Sequence, residues 1–168
     1  MLRRKSRESS SGSTDGSWTG AAEINYVETS FAKVPIFKEC SREELLRVAR
    51  VTRIREHQNG EDVIREGTKG RDFFIILEGK AKITRGGDTV TEIARGDFFG
   101  ELALFDPAPR NATVTAVGQL RLAVLTQPEF HEVLKEETIR DHVLAGMARR
   151  LHELDSRDWS SQNPGGDT

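Results

Sequence analysis

Three stretches with different hydrophobic patterns follow one another between about residues 25 and 155. The first is helical: Ser41 followed by Glu44 forms a capping-box signature, and an apolar face follows it at Leu45, Leu46, Val48 and Ala49. Just upstream, the segment INYVETSFAKVPIF predicts a short helix that ends before Pro35, because a residue that precedes proline disfavours the helical conformation.

The middle stretch, about residues 51 to 125, has the pattern of short strands. The segment DFFIILEGKAKIT is rich in β-branched and aromatic residues and then alternates, and the segments NATVTAV and LRLAVLT alternate in a similar way. Turn signals recur about every ten residues, at Asn59-Gly60, Gly67, Gly79, Gly86-Gly87, Gly96 and Gly118. This spacing predicts a barrel or a jelly-roll sandwich.

The last stretch is helical again. Thr126 and Glu129 match a capping box that includes Pro128, and Thr138 with Asp141 matches another. From there apolar residues recur at helical spacing, which predicts a long helix with one apolar stripe made of Ile139, Val143, Met147, Leu151 and Leu154. The fold class is therefore predicted to be mainly β with flanking helices.

Composition limits the classes of function. Of the 168 residues 36% are hydrophobic and 31% are charged, and the net charge is −2, so there is no electrostatic case for nucleic acid or a membrane surface. The longest apolar runs, FFIIL and LALF, are too short to span a bilayer, and no secretory signal is recognisable. A cytoplasmic protein is expected. We expect residues 1–24 to be a disordered polar tail, 25–155 a domain and 156–168 a flexible tail.

Metal and redox chemistry are not expected from the sequence. The single cysteine, Cys40, cannot form an internal disulfide and has no histidine near it in the chain. The four histidines form neither an H-x-H pair nor an H-E-x-x-H motif. No nucleophile elbow, P-loop or acid/base arrangement is recognisable, so an enzyme is not expected.

The segment GDFFGELALFDPAPR combines groups that suit a phosphorylated sugar. Gly100 interrupts the strand pattern before a run long enough for one helical turn, whose free amides would favour an anion. Arg110 returns at the start of the next strand and could hold the same phosphate. Glu101 can only accept hydrogen bonds when ionised, so sugar hydroxyls are its natural partners. A cyclic nucleotide would satisfy all these groups, whereas the alternative is a structural Glu101–Arg110 ion pair.

The same segment, extended to GDFFGELALFDPAPRNAT, resembles the phosphate-binding cassette of cyclic-nucleotide-binding domains. This is the family of the bacterial catabolite activator protein, protein kinase A regulatory subunits and cyclic-nucleotide-gated channels. The upstream segment VIREGTKGRDFFIILEG is similar to the family's glycine-spaced strand pair. The resemblance covers about residues 25 to 155 and implies an eight-stranded jelly-roll-like β-barrel with N-terminal helices and a C-terminal helical lid. The cassette pattern is matched at Phe99, Gly100, Glu101, Leu102, Ala103, Leu104, Pro109, Arg110, Ala112 and Thr113.

The resemblance also implies roles for individual residues. Glu101 would accept a hydrogen bond from the ribose 2′-hydroxyl, Arg110 would pair with the cyclic phosphate, and Gly100 would let the backbone approach the ligand. Backbone amides near Leu102, Ala103 and Ala112 would add further hydrogen-bond donors. The remaining positions implied to bind the ligand are Phe99, Leu102, Ala103, Asn111 and Ala112.

Nucleotide preference is left open by Asn111. The residue after the arginine is often alanine in members of the family that prefer cAMP and threonine in members that prefer cGMP, and asparagine matches neither. Asparagine can both donate and accept hydrogen bonds, so it could contact the phosphate or the base. We expect cAMP as the ligand, with cGMP as the alternative and without a metal.

The last helix is the second functional candidate. In the family it folds over the mouth of the barrel and caps the purine, and the candidate lid residues here are Met147, Arg150 and Leu151. The alternative is that the apolar stripe packs on the barrel or on a partner copy. The expected mechanism is a population shift, in which the ligand favours the docked position of the helix.

These observations predict a non-catalytic sensor that acts on an unknown protein effector in trans, as a monomer or a weak homodimer. A DNA-binding regulator is not expected, because no helix-turn-helix follows the long helix. The competing hypothesis is a protein-interaction adaptor with a vestigial pocket, or a regulatory domain that acts on a partner in trans.

Overall fold

A computed structural model of the chain describes residues 20–105 and 108–162, with side chains as far as residue 152. Among these residues, six strands form one antiparallel sheet and five α-helices flank it. In chain order the elements are α1 (Ala21–Phe31), a 3₁₀ helix (Pro35–Phe37), α2 (Arg42–Arg50), β1 (Arg53–His57), β2 (Asp62–Ile64), β3 (Asp72–Arg85), β4 (Asp88–Ala94), β5 (Phe98–Phe99), α3 (Leu102–Phe105), β6 (Thr113–Thr126), α4 (Gln127–Val133) and α5 (Glu137–Gln162).

Two of the predicted helix starts are confirmed at atomic detail. At α2 the Ser41 amide donates to Glu44 Oε2 at 2.7 Å, and the Glu44 amide donates to Ser41 Oγ at 3.3 Å. At α4 the Thr126 and Glu129 pair makes the equivalent bonds at 2.8 and 3.4 Å. These reciprocal bonds satisfy amides that an uncapped helix leaves without partners.

The limits of the terminal helices differ from those expected. The predicted capping box at Thr138 is wrong, because α5 begins at Glu137 and Thr138 therefore lies inside the helix. Its side chain instead lies close to Glu44 of α2. α1 begins at Ala21, and α5 extends to Gln162, beyond the expected boundary at 155, because no glycine or proline interrupts residues 147–162. Residues 1–19 and 163–168 lie outside the described part of the chain.

The predicted fold class, mainly β with flanking helices, is confirmed, but the described strands form an open sheet and not the expected closed barrel. The strand order is β1-β6-β3-β4, with β2 also paired to β6 and β5 to β3, and no pairing among the described residues closes the sheet. Two predicted turns are bends within single strands, because Gly79 and Gly118 adopt φ of 91° and 73° and let the 14-residue strands β3 and β6 continue. The two long strands therefore pair in two stretches, with register shifts around Glu78.

The apolar run in β3 is explained by burial on both of its faces. One face joins a helix-side core formed with α1, α2, α4 and α5, and the other joins a sheet-side core. The sheet-side core lines the cavity described below. The helix-side core takes Phe73, Ile75 and Leu77 from β3, together with Ile139, Val143 and Met147 from α5.

The bend at Gly79 yields a stability prediction. A Cβ at Gly79 would lie 2.3 Å from the Gln119 carbonyl oxygen, whereas Gly87, with an almost equal φ of 89°, has nothing within 4 Å. We expect Gly87→Ala to lower the free energy of unfolding by about 1–2 kcal/mol through backbone strain alone. Gly79→Ala should cost about 1–3 kcal/mol more through steric overlap. Urea denaturation of both variants measures the difference, and equal losses would contradict the close packing of β3 on β6.

Candidate functional site

A cavity of about 420 Å³ lies on the inner side of the sheet, where the β5–β6 connection meets α5. Its volume is within the range usual for small-ligand sites. Its apolar wall comes from strand side chains, Ile64, Ile83, Ile93 and Val114. The structure also brings to this one cavity every cassette residue predicted to bind the ligand: Phe99, Gly100, Glu101, Leu102, Ala103, Arg110, Asn111 and Ala112.

Arg110 is the buried cation of the cavity, with 8% of its surface exposed. Its Nη2 donates to the Asp72 carbonyl at 2.9 Å and its Nη1 donates to the Gly100 carbonyl at 3.3 Å. Its Nε is buried and has no hydrogen-bond partner. Burial lowers the pKa of the guanidinium, but an arginine remains charged at neutral pH. Arg110 lines the cavity, so its positive charge borders this space, which is an arrangement that suits an anionic ligand.

Close backbone approach holds the guanidinium in this position. A Cβ at Gly100 would lie 2.7 Å from the Asp72 carbonyl and 2.9 Å from Arg110 Nη1, and Gly100 also has a φ of 81°. A Cβ at Gly70 would lie 2.9 Å from Arg110 Nη2. Below the side chain, the Arg110 amide donates to the Thr68 carbonyl at 2.8 Å. Two glycines are therefore needed at these places, because any side chain would displace Arg110.

Glu101 faces the same cavity without pairing with Arg110. No ion pair within 4.0 Å joins the two side chains, although both are in the described part of the chain. Burial raises the pKa of the Glu101 carboxyl, while hydrogen bonding to its own backbone and the Arg110 charge act in the opposite direction. The structural ion pair considered as the alternative is therefore not formed, and the carboxylate remains able to accept bonds from a ligand.

The cassette helix α3 contributes backbone amides. It follows Glu101 directly, and the Leu104 amide donates to the Glu101 carbonyl at 3.1 Å. The amides of Leu102 and Ala103 are at the N-terminal end of α3, where a helix has no internal acceptors for its donors. This end lies at the cavity and adds donors of the kind an anion requires.

The candidate lid residues have different environments. Arg150 and Leu151 of α5 line the cavity, and Arg150 forms an ion pair with Asp97, another residue of the cavity wall. Met147 does not line the cavity: it is 5% exposed and belongs to the helix-side core. Met147 thus lies in the helix-side core, and of the three candidate lid residues Arg150 and Leu151 are the ones at the cavity. Leu154 lies beyond the described side chains.

Sequence analysis missed several residues that shape the site. Gly70 belongs to no motif recognised in the sequence, yet it makes room for Arg110. Asp97 was not recognised as the partner of Arg150, since the two are 53 positions apart. Phe74 lies under the guanidinium at 5.9 Å and stacks on Phe99 with ring centroids 4.8 Å apart. Alternation along β3 could have assigned Phe74 to the cavity face. The contacts of Gly70 and Asp97 join residues far apart in the chain and leave no local signal in the sequence.

The model of the cyclic nucleotide-binding domain family matches residues 54–137, which is half of the chain. The chain belongs to the cyclic nucleotide-binding domain family. The match contains the cassette and the sheet that surrounds the cavity, so the resemblance seen in the sequence is confirmed. Among the described residues, no helix is both long and apolar enough to cross a membrane.

The relatives and solved structures that resemble the chain do so over part of their own length. A cAMP-dependent protein kinase regulatory subunit of Mycosarcoma maydis is 43% identical over 57% of this chain, but the match spans only 20% of that protein. A cAMP-bound PfPKA-R fragment shares the fold with a TM-score of 0.68 and 28% identity, covering 82% of this chain and 48% of that one. The regulatory domain of Toxoplasma gondii PKA with cAMP has a TM-score of 0.67 and 28% identity, covering 77% of this chain and 51% of that one.

The raised pKa of Glu101 yields a prediction of pH dependence without ligand. The stability that the protonated carboxyl contributes is present below its ordinary value of 4.5 and is lost as pH rises through the raised folded-state pKa. Glu101→Gln removes this loss, so the variant should be more stable than wild type at pH 7. When the pH is lowered to 4, the stability of the variant should rise less than that of wild type. Thermal melts across pH measure the difference. The matched control is Glu92→Gln, an exposed position, and an equal profile for both variants would contradict the burial of Glu101.

Proposed function

We propose that this chain binds a cyclic nucleotide in the cavity at the cassette, with cAMP preferred over cGMP, and acts as a non-catalytic sensor. The observation that carries the proposal is that a cation and a carboxylate lie at one cavity without pairing with each other. Arg110 has a buried donor without a partner, and Glu101 has a half-buried carboxylate that is not used in an ion pair. A ligand that presents a phosphate beside a hydroxyl would satisfy both groups, whereas a simple anion would satisfy only one.

In the proposed complex the cyclic phosphate lies between Arg110 and the start of α3. The Arg110 guanidinium and the amides of Leu102 and Ala103 donate to phosphate oxygens. Because the Arg110 side chain is already held by two backbone carbonyls, it does not need to be reordered when the ligand arrives. Little conformational entropy is therefore lost on binding, which favours affinity.

The sugar and the base occupy the rest of the cavity. Glu101 accepts a hydrogen bond from the ribose 2′-hydroxyl, which also places the ring against Gly100, where no side chain intervenes. The apolar wall of Ile83, Ile93 and Val114 faces the flat surfaces of the purine. Asn111 lines the same cavity, and its side chain is positioned to contact the phosphate or the base.

The preference for cAMP is proposed from the relatives rather than from the cavity. The named relatives are cAMP-dependent kinase regulatory subunits, and the two similar structures cited above carry cAMP. Those relatives are several times longer than the matched segment, so their activity as whole proteins does not transfer directly. We propose that this chain likewise regulates a protein partner in trans, whose identity remains to be found.

α5 is the proposed route by which binding reaches that partner. Its turn at Arg150 and Leu151 lines the cavity, while its preceding turns pack in the helix-side core with α1 and α2. A ligand that contacts Leu151 or competes for the Arg150–Asp97 ion pair would therefore favour one position of α5 over another. Movement of this helix would repack the helical face of the domain.

Isothermal titration with cAMP and cGMP tests the proposed site. We expect binding of both by wild type, with cAMP tighter, and a loss of about 1.5–3 kcal/mol in Arg110→Lys, which is tenfold or more in affinity. The lysine keeps the charge but not the forked donors. Arg95→Lys is the matched control, since Arg95 is exposed and is not among the residues that line the cavity.

The titration has clear outcomes for the competing hypotheses. Folding of each variant is checked by its thermal melt in the absence of nucleotide, because Arg110 also holds backbone carbonyls. A folded wild type that shows no heat with either nucleotide would defeat the proposal and favour the adaptor with a vestigial pocket. Tighter binding of cGMP would preserve the site and overturn the preference.

The lid is tested by two leucines of the same helix. Leu151 lines the cavity and is 49% exposed, while Leu144 is 39% exposed and is not among the lining residues. Leu151→Ala should weaken cAMP binding by about 1 kcal/mol, roughly fivefold, because the truncated side chain would cover less of the purine. Leu144→Ala should leave the affinity unchanged. Equal effects of the two substitutions on affinity would contradict a direct contact between α5 and the ligand.

A further inference from the structure

A second group of chemically active side chains lies on the helical face, away from the cavity. Cys40 precedes α2, Glu44 is in the first turn of α2, and His142 is in α5. The Cys40 Sγ, a Glu44 carboxylate oxygen and a His142 ring nitrogen all lie within 4.8 Å of one another. None of these residues lines the nucleotide cavity, so the mechanism proposed above does not explain their arrangement.

We propose that Cys40, Glu44 and His142 form a zinc site, with a water molecule as the fourth ligand. The sulfur, nitrogen and oxygen donors are the set that Zn²⁺ takes in proteins, and three protein ligands with one open position make a tetrahedron. The ligands of such an ion lie about 3.3–3.8 Å apart, given the usual bond lengths. The described separations, at most 4.8 Å, therefore need to close by up to about 1–1.5 Å, which a change in side-chain torsions provides.

The hydrogen bonding of the cluster supports a metal site. His142 Nδ1 is 3.4 Å from Glu44 Oε2, yet this nitrogen is buried without a hydrogen-bond partner of good geometry. Cys40 is a free thiol, half-buried beside the carboxylates of Glu44 and Glu39. The cluster thus offers sulfur, nitrogen and oxygen donors for a metal, beside two carboxylates.

The outer contacts of Glu44 fix its carboxylate for this role. Glu44 is 8% exposed, its Oε2 accepts a hydrogen bond from the Ser41 amide at 2.7 Å, and the Thr138 side chain lies close to it. Contacts of this kind orient the ligands of metal sites. On binding, Zn²⁺ takes the place of the Cys40 proton, which is released to solvent, and the bound thiolate and carboxylate balance the charge of the ion.

The location gives the site a structural consequence. His142 is eight residues before Arg150 on α5, or about 12 Å along the helix axis. A bound metal would cross-link the N-terminal part of α5 to α2. It would not directly constrain the end of α5 that lies at the cavity. The sequence alone predicted no metal site, because Cys40 and His142 are far apart in the chain, and only the packing of α5 on α2 brings them together.

Cobalt titration of the metal-free full chain tests the proposal in the absence of nucleotide, so its result is independent of the proposed function. Because Cys40 is the single cysteine, a near-ultraviolet thiolate-to-cobalt band reports this site alone. We expect the band to saturate at one equivalent of Co²⁺, to be lost on adding Zn²⁺, and to be absent in Cys40→Ser. His142→Gln should weaken cobalt binding at least tenfold.

The control variant and a stability measurement complete the test. His131→Gln removes a histidine that hydrogen-bonds Leu104 in α3 and should bind cobalt as wild type does. Zn²⁺ should raise the melting temperature of wild type and of His131→Gln but not that of Cys40→Ser. No thiolate band in excess Co²⁺, or equal stabilisation of wild type and Cys40→Ser by Zn²⁺, would overturn the proposal.

Discussion

The fixed position of the Arg110 guanidinium is the constraint on which the rest of the site depends. Two backbone carbonyls, from Asp72 and Gly100, hold it in place while it is almost fully buried, and the glycines at 70 and 100 leave the space it occupies. Burying a charge is unfavourable unless polar groups compensate for it, so this arrangement ties the start of β3, the β5–α3 link and the start of β6 to one another. The cavity has its shape because these three segments converge on one side chain.

Local chemistry determined which features could be predicted from the sequence. The capping boxes at Ser41 and Thr126 and the strand character of β3 depend on residues close together in the chain, and the cassette pattern identified both Glu101 and Arg110. The limits of the two long strands could not be predicted, because a glycine with positive φ serves equally well in a turn and in a bend such as that at Gly118. The burial of Met147 depends on packing between distant segments, which periodicity along α5 does not reveal.

α5 belongs to two parts of the molecule at once. Its first turns bury Ile139, Val143 and Met147 against the other helices, and a later turn places Leu151 at the cavity. Gly146 lies between these regions, where a Cβ would be 2.4 Å from the Ile36 carbonyl oxygen. Because the contact with the 3₁₀ helix is so close, α5 cannot slide freely at this point, and a shift at the cavity end must be accommodated by tilting or by moving the 3₁₀ helix with it.

The pairing of β3 with β6 has a consequence for how the domain folds. The register joins Thr84 to Thr113 and Asp72 to Thr126, so the whole of β4, β5 and the cassette lies within the loop that this pairing closes. Contacts so distant in sequence form slowly, since the entropy of loop closure is lost before they are gained. The cassette consequently has no stable conformation until the two long strands meet, and a peptide that contained only its residues would not reproduce the cavity.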